Sequence, residues 1–212
     1  MDPVLKLIEL FSEFPGIGPR QARRFAYFVL TRPHAFLDDF IRNITAAKKS
    51  LKICSSCQHF FTSTQAYPRQ TCSICSDNTR DHTSLMIVAR DSDLEAIEKS
   101  DVYNGLYFVL GGIIPILEKE PEKRVRLAEL KKRVQGLPLH KDTRPLLVQE
   151  IILSMSVTPD GEHTAEVVKS FIEKNVDVSK IKITILGKGL STGTELEYSD
   201  TETLKNALKN RA

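Results

Sequence analysis

The 212-residue sequence has no long hydrophobic run, no large excess of one charge sign, no visible internal repeat, and no cysteine outside one short stretch. Its longest apolar run, Leu106 to Leu117, is interrupted by Gly111, Gly112 and Pro115. A membrane-spanning helix needs about 20 predominantly apolar residues, so no segment reads as one. The start, Met1-Asp2-Pro3, is acidic and passes directly into an amphipathic pattern, unlike the basic and then apolar layout of a secretory leader. These absences set the expectation of a cytoplasmic protein. Apolar residues at 41% and charged residues at 27% place the chain among ordinary globular proteins. The length allows one large domain or two or three small ones.

The net charge of +3 is small but unevenly divided. Residues 1–53 hold nine Lys/Arg against five Asp/Glu, whereas the remainder hold 21 against 22. The positive excess therefore lies entirely in the N-terminal quarter, which points to a polyanionic partner for that segment.

Periodicity gives the layout. Val4, Leu7, Ile8 and Phe11 follow a 3.6-residue period, so residues 2–13 are predicted helical. Ala22, Phe25, Ala26 and Val29 give a second helix its buried stripe, Arg32-Pro33 closes it, and Ala35 to Lys49 forms a third. Between these first two helices stands Phe14-Pro15-Gly16-Ile17-Gly18-Pro19, followed by Arg20, Arg23 and Arg24. Pro19 suits the first turn of a helix and makes Gly18 its N-cap. Glycines leave the backbone bare for close approach, and a helix N-terminus offers N–H groups to an anion. The arginines, at i, i+3 and i+4, share one side of the helix. Two readings stand: an anion-binding hairpin, or a plain joint with a solvated basic face.

From Ser84 onward the pattern alternates. The stretches 84–89, 106–112, 148–155 and 181–186 read as short buried strands, separated by helices near 92–100, 122–135 and 162–174. Continuous apolar strands alternating with helices predict a four-stranded parallel sheet covered on both faces. A Gly-rich loop from Gly187 to Asp200 and a short helix from Thr201 to Asn210 end the chain.

All four cysteines lie between Lys52 and Asp77, as Cys54-x2-Cys57 and Cys72-x2-Cys75 with 14 residues between the pairs. Each knuckle can give two thiolates to one tetrahedral ion, and two knuckles close a four-cysteine site. The gap is slightly shorter than in the commonest zinc pattern, but a small ribbon bridges it. Disulfides are the weaker explanation in a reducing compartment. One structural Zn2+ per chain is therefore expected. A site closed by four thiolates has no open position for chemistry, and the metal stands in for a core that this segment is too small to build. His59 and His82 are nearby and read as surface residues.

Ligands of open parallel sheets gather at the carboxyl ends of the strands. There the third strand leads to Asp160-Gly161-Glu162, and the first to Asp91 and Asp93. Such carboxylates suit either a divalent cation or the capping of the helices that follow.

The order of these parts resembles the bacterial RecR recombination mediators. The resemblance rests on FPGIGPRQARRFA, the paired cysteine knuckles, RDHTSLMIVARDSDLEAIE, YNGLYFVLGGIIPIL, EIILSMSVTPDGEHTA and LEYSDTETLKNAL, which cover nearly the whole chain in order. It implies a multi-part α+β and α/β protein. The parts are a helix-hairpin-helix region over 1–53, a four-cysteine zinc finger over 54–79, a Toprim-like parallel α/β domain over 80–186, and a C-terminal loop and helix over 187–212. It further implies that Gly16, Ile17 and Gly18 present N–H groups to a DNA phosphate, with Arg20, Arg23 and Arg24 flanking it. Asp160 and Glu162 match the second acidic pair of Toprim domains and a partner-docking surface. The first acidic position aligns with Ala89, so no general acid/base is expected. The family role implied is a non-enzymatic mediator that binds DNA and acts with RecO and RecF to load recombinase, as a homo-oligomer ranging from a dimer to a ring tetramer. The rival is a metal-dependent Toprim nuclease or primase-like enzyme. A third reading is a zinc-stabilised protein adaptor that makes no contact with DNA. The N-terminal excess of positive charge and the glycine hairpin argue against it.

Overall fold

The computed structural model describes residues 2–63, 69–136, 148–177, 181–187 and 201–209. The chain forms two compact units, Met1–Leu51 and Lys52–Ala212.

The first unit is helical. Helix α1 (Pro3–Ser12) is capped by Asp2, whose carboxylate accepts the Val4 N–H at 2.9 Å. Helix α2 (Pro19–Leu30) starts on Gly18, and α3 (His34–Ser50) starts on Pro33. α1 and α2 pack through Phe11 and Phe25, with ring centroids 5.9 Å apart, and over the fully buried Ala22 and Ala26. Small residues at positions 22 and 26 let the helices approach closely. By contrast, Phe36, Phe40, Ile41 and Ile44 leave an apolar stripe exposed along α3.

The second unit is built on a parallel sheet. Strands β1 (Leu51–Ile53) and β2 (Phe60–Thr62) form a small ribbon, and α4 (Ser73–Ser76) carries the last cysteine. Then follow β3 (Asp81–Val88), α5 (Asp91–Ser100), β4 (Gly105–Val109), α6 (Leu127–Val134), β5 (Glu150–Ser154), α7 (Pro159–Asn175), β6 (Lys182–Ile185) and α8 (Thr201–Lys209). The order across the sheet is β4-β3-β5-β6, all parallel. All four expected strands form. Their alternation decides the two cores: Leu85 and Ile87 pack with Leu130 of α6 and Ile172 of α7, whereas Met86 and Val88 pack with Leu94 of α5.

Several boundaries differ from the sequence reading: β3 starts at Asp81 rather than at residue 84, and the helix expected near 122–135 forms only from Leu127, after a single 3-10 turn over Pro121–Lys123. The strand predicted over 106–112 ends at Val109, because Gly111 turns the chain with φ +92°. The helix predicted from residue 162 begins at Pro159, capped by Thr158, whose Oγ1 accepts the Gly161 N–H at 3.2 Å. Asp160 and Glu162 therefore stand in the first turn of a helix rather than in a loop. The Gly-rich stretch expected after the last strand lies, from residue 188 to 200, outside the described residues.

A partly buried ion pair ties α5 to the start of β3. Arg80 Nη2 donates to Glu98 Oε2 at 2.5 Å and Nη1 to Oε1 at 2.9 Å. Burial alone would raise the Glu98 pKa, but the Arg80 bonds and charge outweigh it and hold the carboxyl below its usual range. A carboxylate shifted in this way contributes stability above its unfolded pKa and loses it as pH falls through the lowered folded value. Glu98→Gln is expected to cost about 2 kcal/mol near neutral pH and much less in acid, where the wild-type bond is already lost. Urea melts at several pH values measure this.

Candidate metal centre and nucleic-acid interface

The two cysteine knuckles converge. Cys54, Cys57 and Cys72 are buried and Cys75 is partly so. Their four sulfurs lie within 4.8 Å of one another, with Cys57 Sγ and Cys72 Sγ 3.6 Å apart. A tetrahedral ion with sulfur bonds of about 2.3 Å needs edges of about 3.8 Å, so the set fits one ion. The folding is local. Gln58, at φ +63°, turns the first knuckle and donates its N–H to the Cys54 carbonyl at 3.0 Å. The Cys72 N–H donates to Cys54 Sγ at 3.3 Å. Hydrogen bonds from Cys57, then Cys72 and Cys75, hold the Cys54 thiol far below its usual pKa, and bonding with Cys54 drives Cys57 up.

Sequence reasoning missed the surroundings of this centre. His59, expected at the surface, is largely buried and donates Nδ1–H to Asp91 Oδ1 at 2.7 Å. Asp91 also accepts the Phe60 N–H at 2.8 Å. Arg133 is buried on α6; burial lowers its pKa and the four cysteine sulfurs act against that. No local spacing marks Arg133, which lies far along the chain from the cysteines it meets.

The acidic candidates do not assemble. Asp91 is occupied as above, and Asp93 Oδ2 caps α5 by accepting the Arg90 N–H at 2.9 Å. Asp160 Oδ1 accepts the Ile116 N–H at 3.2 Å. Asp160 and Glu162, as i and i+2 in the first turn of one helix, point to different sides, an arrangement that suits the helix-start reading of their spacing better than the cation reading. Among the described residues, the four cysteines are the one group of three or more candidate ligands brought together. Ala89, at the end of β3, is buried with its carbonyl accepting the Gly111 N–H at 3.0 Å.

In the other unit, Phe14-Pro15-Gly16-Ile17 is a tight turn, closed by the Ile17 N–H donating to the Phe14 carbonyl at 3.0 Å. Gly16 takes φ +77°, which a type II turn with proline before it requires. The Ile17 N–H is therefore spent inside the turn and cannot serve an anion, contrary to the expectation. Its half-buried side chain instead lines an apolar hollow with Phe11, Phe14 and Phe25. The N–H groups of Gly16 and Gly18 have no acceptor among the described residues. Gly18 is extended, and a Cβ there would meet nothing within 4 Å. Gly18→Ala should therefore leave the melting temperature unchanged, while Gly16→Ala should cost about 1 kcal/mol through its positive φ. Equal melting temperatures for the two variants would remove this account of the turn.

Arg20, Arg23 and Arg24 do share one side of α2. With Pro19, Tyr27 and Thr31 they line an open groove of about 790 Å³. No carboxylate pairs with any of the three among the described residues. Tyr27 and Phe28, both about half exposed, add flat apolar surface to this groove. They were absent from the sequence reading, although their spacing of three and four from Arg24 was visible.

A helical hairpin unit, a cluster of four cysteines that fits one metal ion and a parallel sheet of Toprim type define a protein of the Toprim-containing, helix-hairpin-helix class. Family models agree: "RecR, helix-hairpin-helix" matches residues 4–48, "Toprim domain" residues 83–182, and "RecR, C-terminal" residues 189–212. The Recombination protein RecR of Lactococcus lactis subsp. cremoris (strain MG1363) is 34% identical over 210 residues, covering 99% of this chain and 96% of the relative. That of Streptococcus thermophilus is 35% identical over 209 residues, with coverage of 99% and 96%. That of Ureaplasma urealyticum serovar 10 is 32% identical over 205 residues, with coverage of 97% and 93%. The chain belongs to the RecR family of recombination proteins. No helix among the described residues is long and apolar enough to cross a membrane.

Proposed function

We propose that this protein is a non-enzymatic mediator of recombinational DNA repair that binds DNA through the hairpin unit and acts with RecO and RecF to load recombinase on gapped or single-stranded DNA. The observation that carries the reading is the groove on α2, where three arginines without carboxylate partners stand beside exposed aromatic rings. Guanidinium groups neutralise phosphates whatever the sequence, and bare N–H groups at Gly16 and Gly18 add donors at the start of the same helix. Arg20, Arg23 and Arg24 carry the charge in this reading, and Gly16 and Gly18 the backbone approach.

The four cysteines hold one Zn2+ with no open coordination position, so the metal maintains structure. Asp160 and Glu162 belong to a surface for the partner protein. The exposed stripe Phe36, Phe40, Ile41 and Ile44 supports assembly with further copies of the chain, from dimer to ring tetramer. The apolar Ala89 and the engagement of Asp91, Asp93 and Asp160 as hydrogen-bond acceptors speak against metal-assisted phosphoryl chemistry, which requires carboxylates aimed at a shared ion.

The test is recombinase loading on gapped DNA coated with single-strand binding protein, with purified RecO, in the presence and absence of this protein. Faster loading is expected; no gain would remove the reading. In parallel, the protein with Mg2+ or Mn2+ should leave DNA intact. Cleavage that disappears in Asp160→Asn would favour the enzyme instead.

A further inference from the structure

The first cysteine knuckle runs directly into the α/β part. The Cys57 carbonyl accepts the Val109 N–H, at the end of β4, at 2.8 Å. The Gln58 carbonyl accepts from Arg126 Nη1 at 2.7 Å, and the same nitrogen reaches the Val109 carbonyl at 3.2 Å. His59 and the Phe60 N–H both donate to Asp91 Oδ1 at the start of α5. The Arg126 guanidinium also lies 5.7 Å from the Phe60 ring centroid. Four consecutive residues, one of them a sulfur ligand, are thus fixed from outside the finger.

Within the finger, two backbone bonds to Cys54 add to these: the Gln58 N–H donates to the Cys54 carbonyl at 3.0 Å, and the His59 carbonyl accepts the Cys54 N–H at 2.8 Å. Both ribbon strands are three residues long and mostly exposed. The direction of the Cys54 and Cys57 sulfurs depends on the backbone that follows them, and ordering that backbone opposes metal binding unless other contacts already hold it.

We propose that Asp91 and Arg126 are positioning residues of the metal centre, so that affinity for zinc is set jointly by the four thiolates and by the carboxyl end of the sheet. The proposal rests on the assignment of zinc to the cysteine cluster. Linkage is reciprocal: bound zinc holds the ends of β4 and α5, and whatever displaces Asp91 loosens the metal.

The test uses the full chain and measures zinc affinity by competition with a chromophoric chelator. Asp91→Ala and Arg126→Ala are expected to bind zinc ten- to a hundredfold more weakly, on the order seen for outer-shell partners. Their cobalt-substituted forms should show altered sulfur-to-metal charge-transfer bands. Asp91→Asn keeps an oxygen that accepts both N–H groups, so it should restore affinity to within about threefold. Ile172→Val, in the core on the other face of the sheet, should lower the melting temperature but not the zinc affinity. Equal affinities for the wild type and the folded alanine variants would overturn the proposal. So would an equal loss in Ile172→Val. Should the alanine variants not fold, amide exchange in the wild type decides: partial removal of zinc should speed exchange at Val109 more than at Val168 of α7. An unchanged Val109 rate would overturn the coupling. A wild-type chain that takes up no zinc would instead remove the metal assignment itself.

Discussion

Replacing Cys72 with serine is expected to abolish metal binding and leave the protein insoluble or with its second unit partly unfolded. In small metal modules, metal binding and folding are one equilibrium, and structural zinc contributes about 10–16 kcal/mol to zinc-finger peptides. A whole domain is typically stable by about 5–15 kcal/mol, so nothing else in the ribbon offsets such a loss. Cys54→Ser should behave alike, since Cys54 Sγ also accepts the Cys72 N–H. Elemental analysis would find about one zinc per wild-type chain and none in either variant. Well-folded wild-type protein containing no zinc would show the assignment to be wrong. The hairpin unit, Met1–Leu51, contains no cysteine, so its helices should persist in the variants and be visible by circular dichroism.

Removing the arginines should have the second large effect, on DNA binding alone. In counterion-release terms each phosphate contact contributes about 0.9 to the log–log salt slope, which corresponds to about eightfold in affinity at 0.1 M salt. Arg20→Ala/Arg24→Ala should therefore weaken binding about sixtyfold if each arginine meets one phosphate, and shallow the slope by about 1.8 per chain in contact. The loss should be alike on unrelated DNA sequences, because phosphate contacts carry no sequence information. All three arginines are exposed and without carboxylate partners among the described residues, so the melting temperature should not move. Titration of labelled DNA at several salt concentrations gives both numbers. An unaltered affinity and slope in the folded double variant would reduce the hairpin to a joint between helices.

These two predictions rest on features that differ in how far the sequence announced them. The cysteine spacing is a local chemical pattern: two knuckles, each short enough to converge on one ion, define a tetrahedral set almost wherever the intervening chain runs. The hairpin is local as well, since Pro15-Gly16 dictates a turn and Pro19 a helix start within six residues. The strands could be read because alternate side chains of β3 enter opposite cores, leaving a continuous apolar run. What misled was the state of individual polar groups. The Ile17 N–H was assigned to an anion, but the turn itself uses it. For Asp160 and Glu162 the spacing left a cation site and a helix start both open, and the helix, starting three residues earlier than expected, places both in its first turn.

The sequence by itself determined the order of parts, the sheet with its buried strands, the metal-ligand set and the basic side of α2. All of these follow from spacing along a few consecutive residues. Only the tertiary structure decided that Asp91 answers His59 and Phe60 across 32 and 31 residues, and that Arg126 reaches Gln58 across 68. It also decided that Tyr27 lines the arginine groove and that the carboxylates of the sheet edge are occupied by N–H groups. The physical reason is that a hydrogen bond depends on where two groups meet in space, within about 3 Å. Local periodicity sets which face a residue takes, but the partner on that face comes from a distant part of the chain.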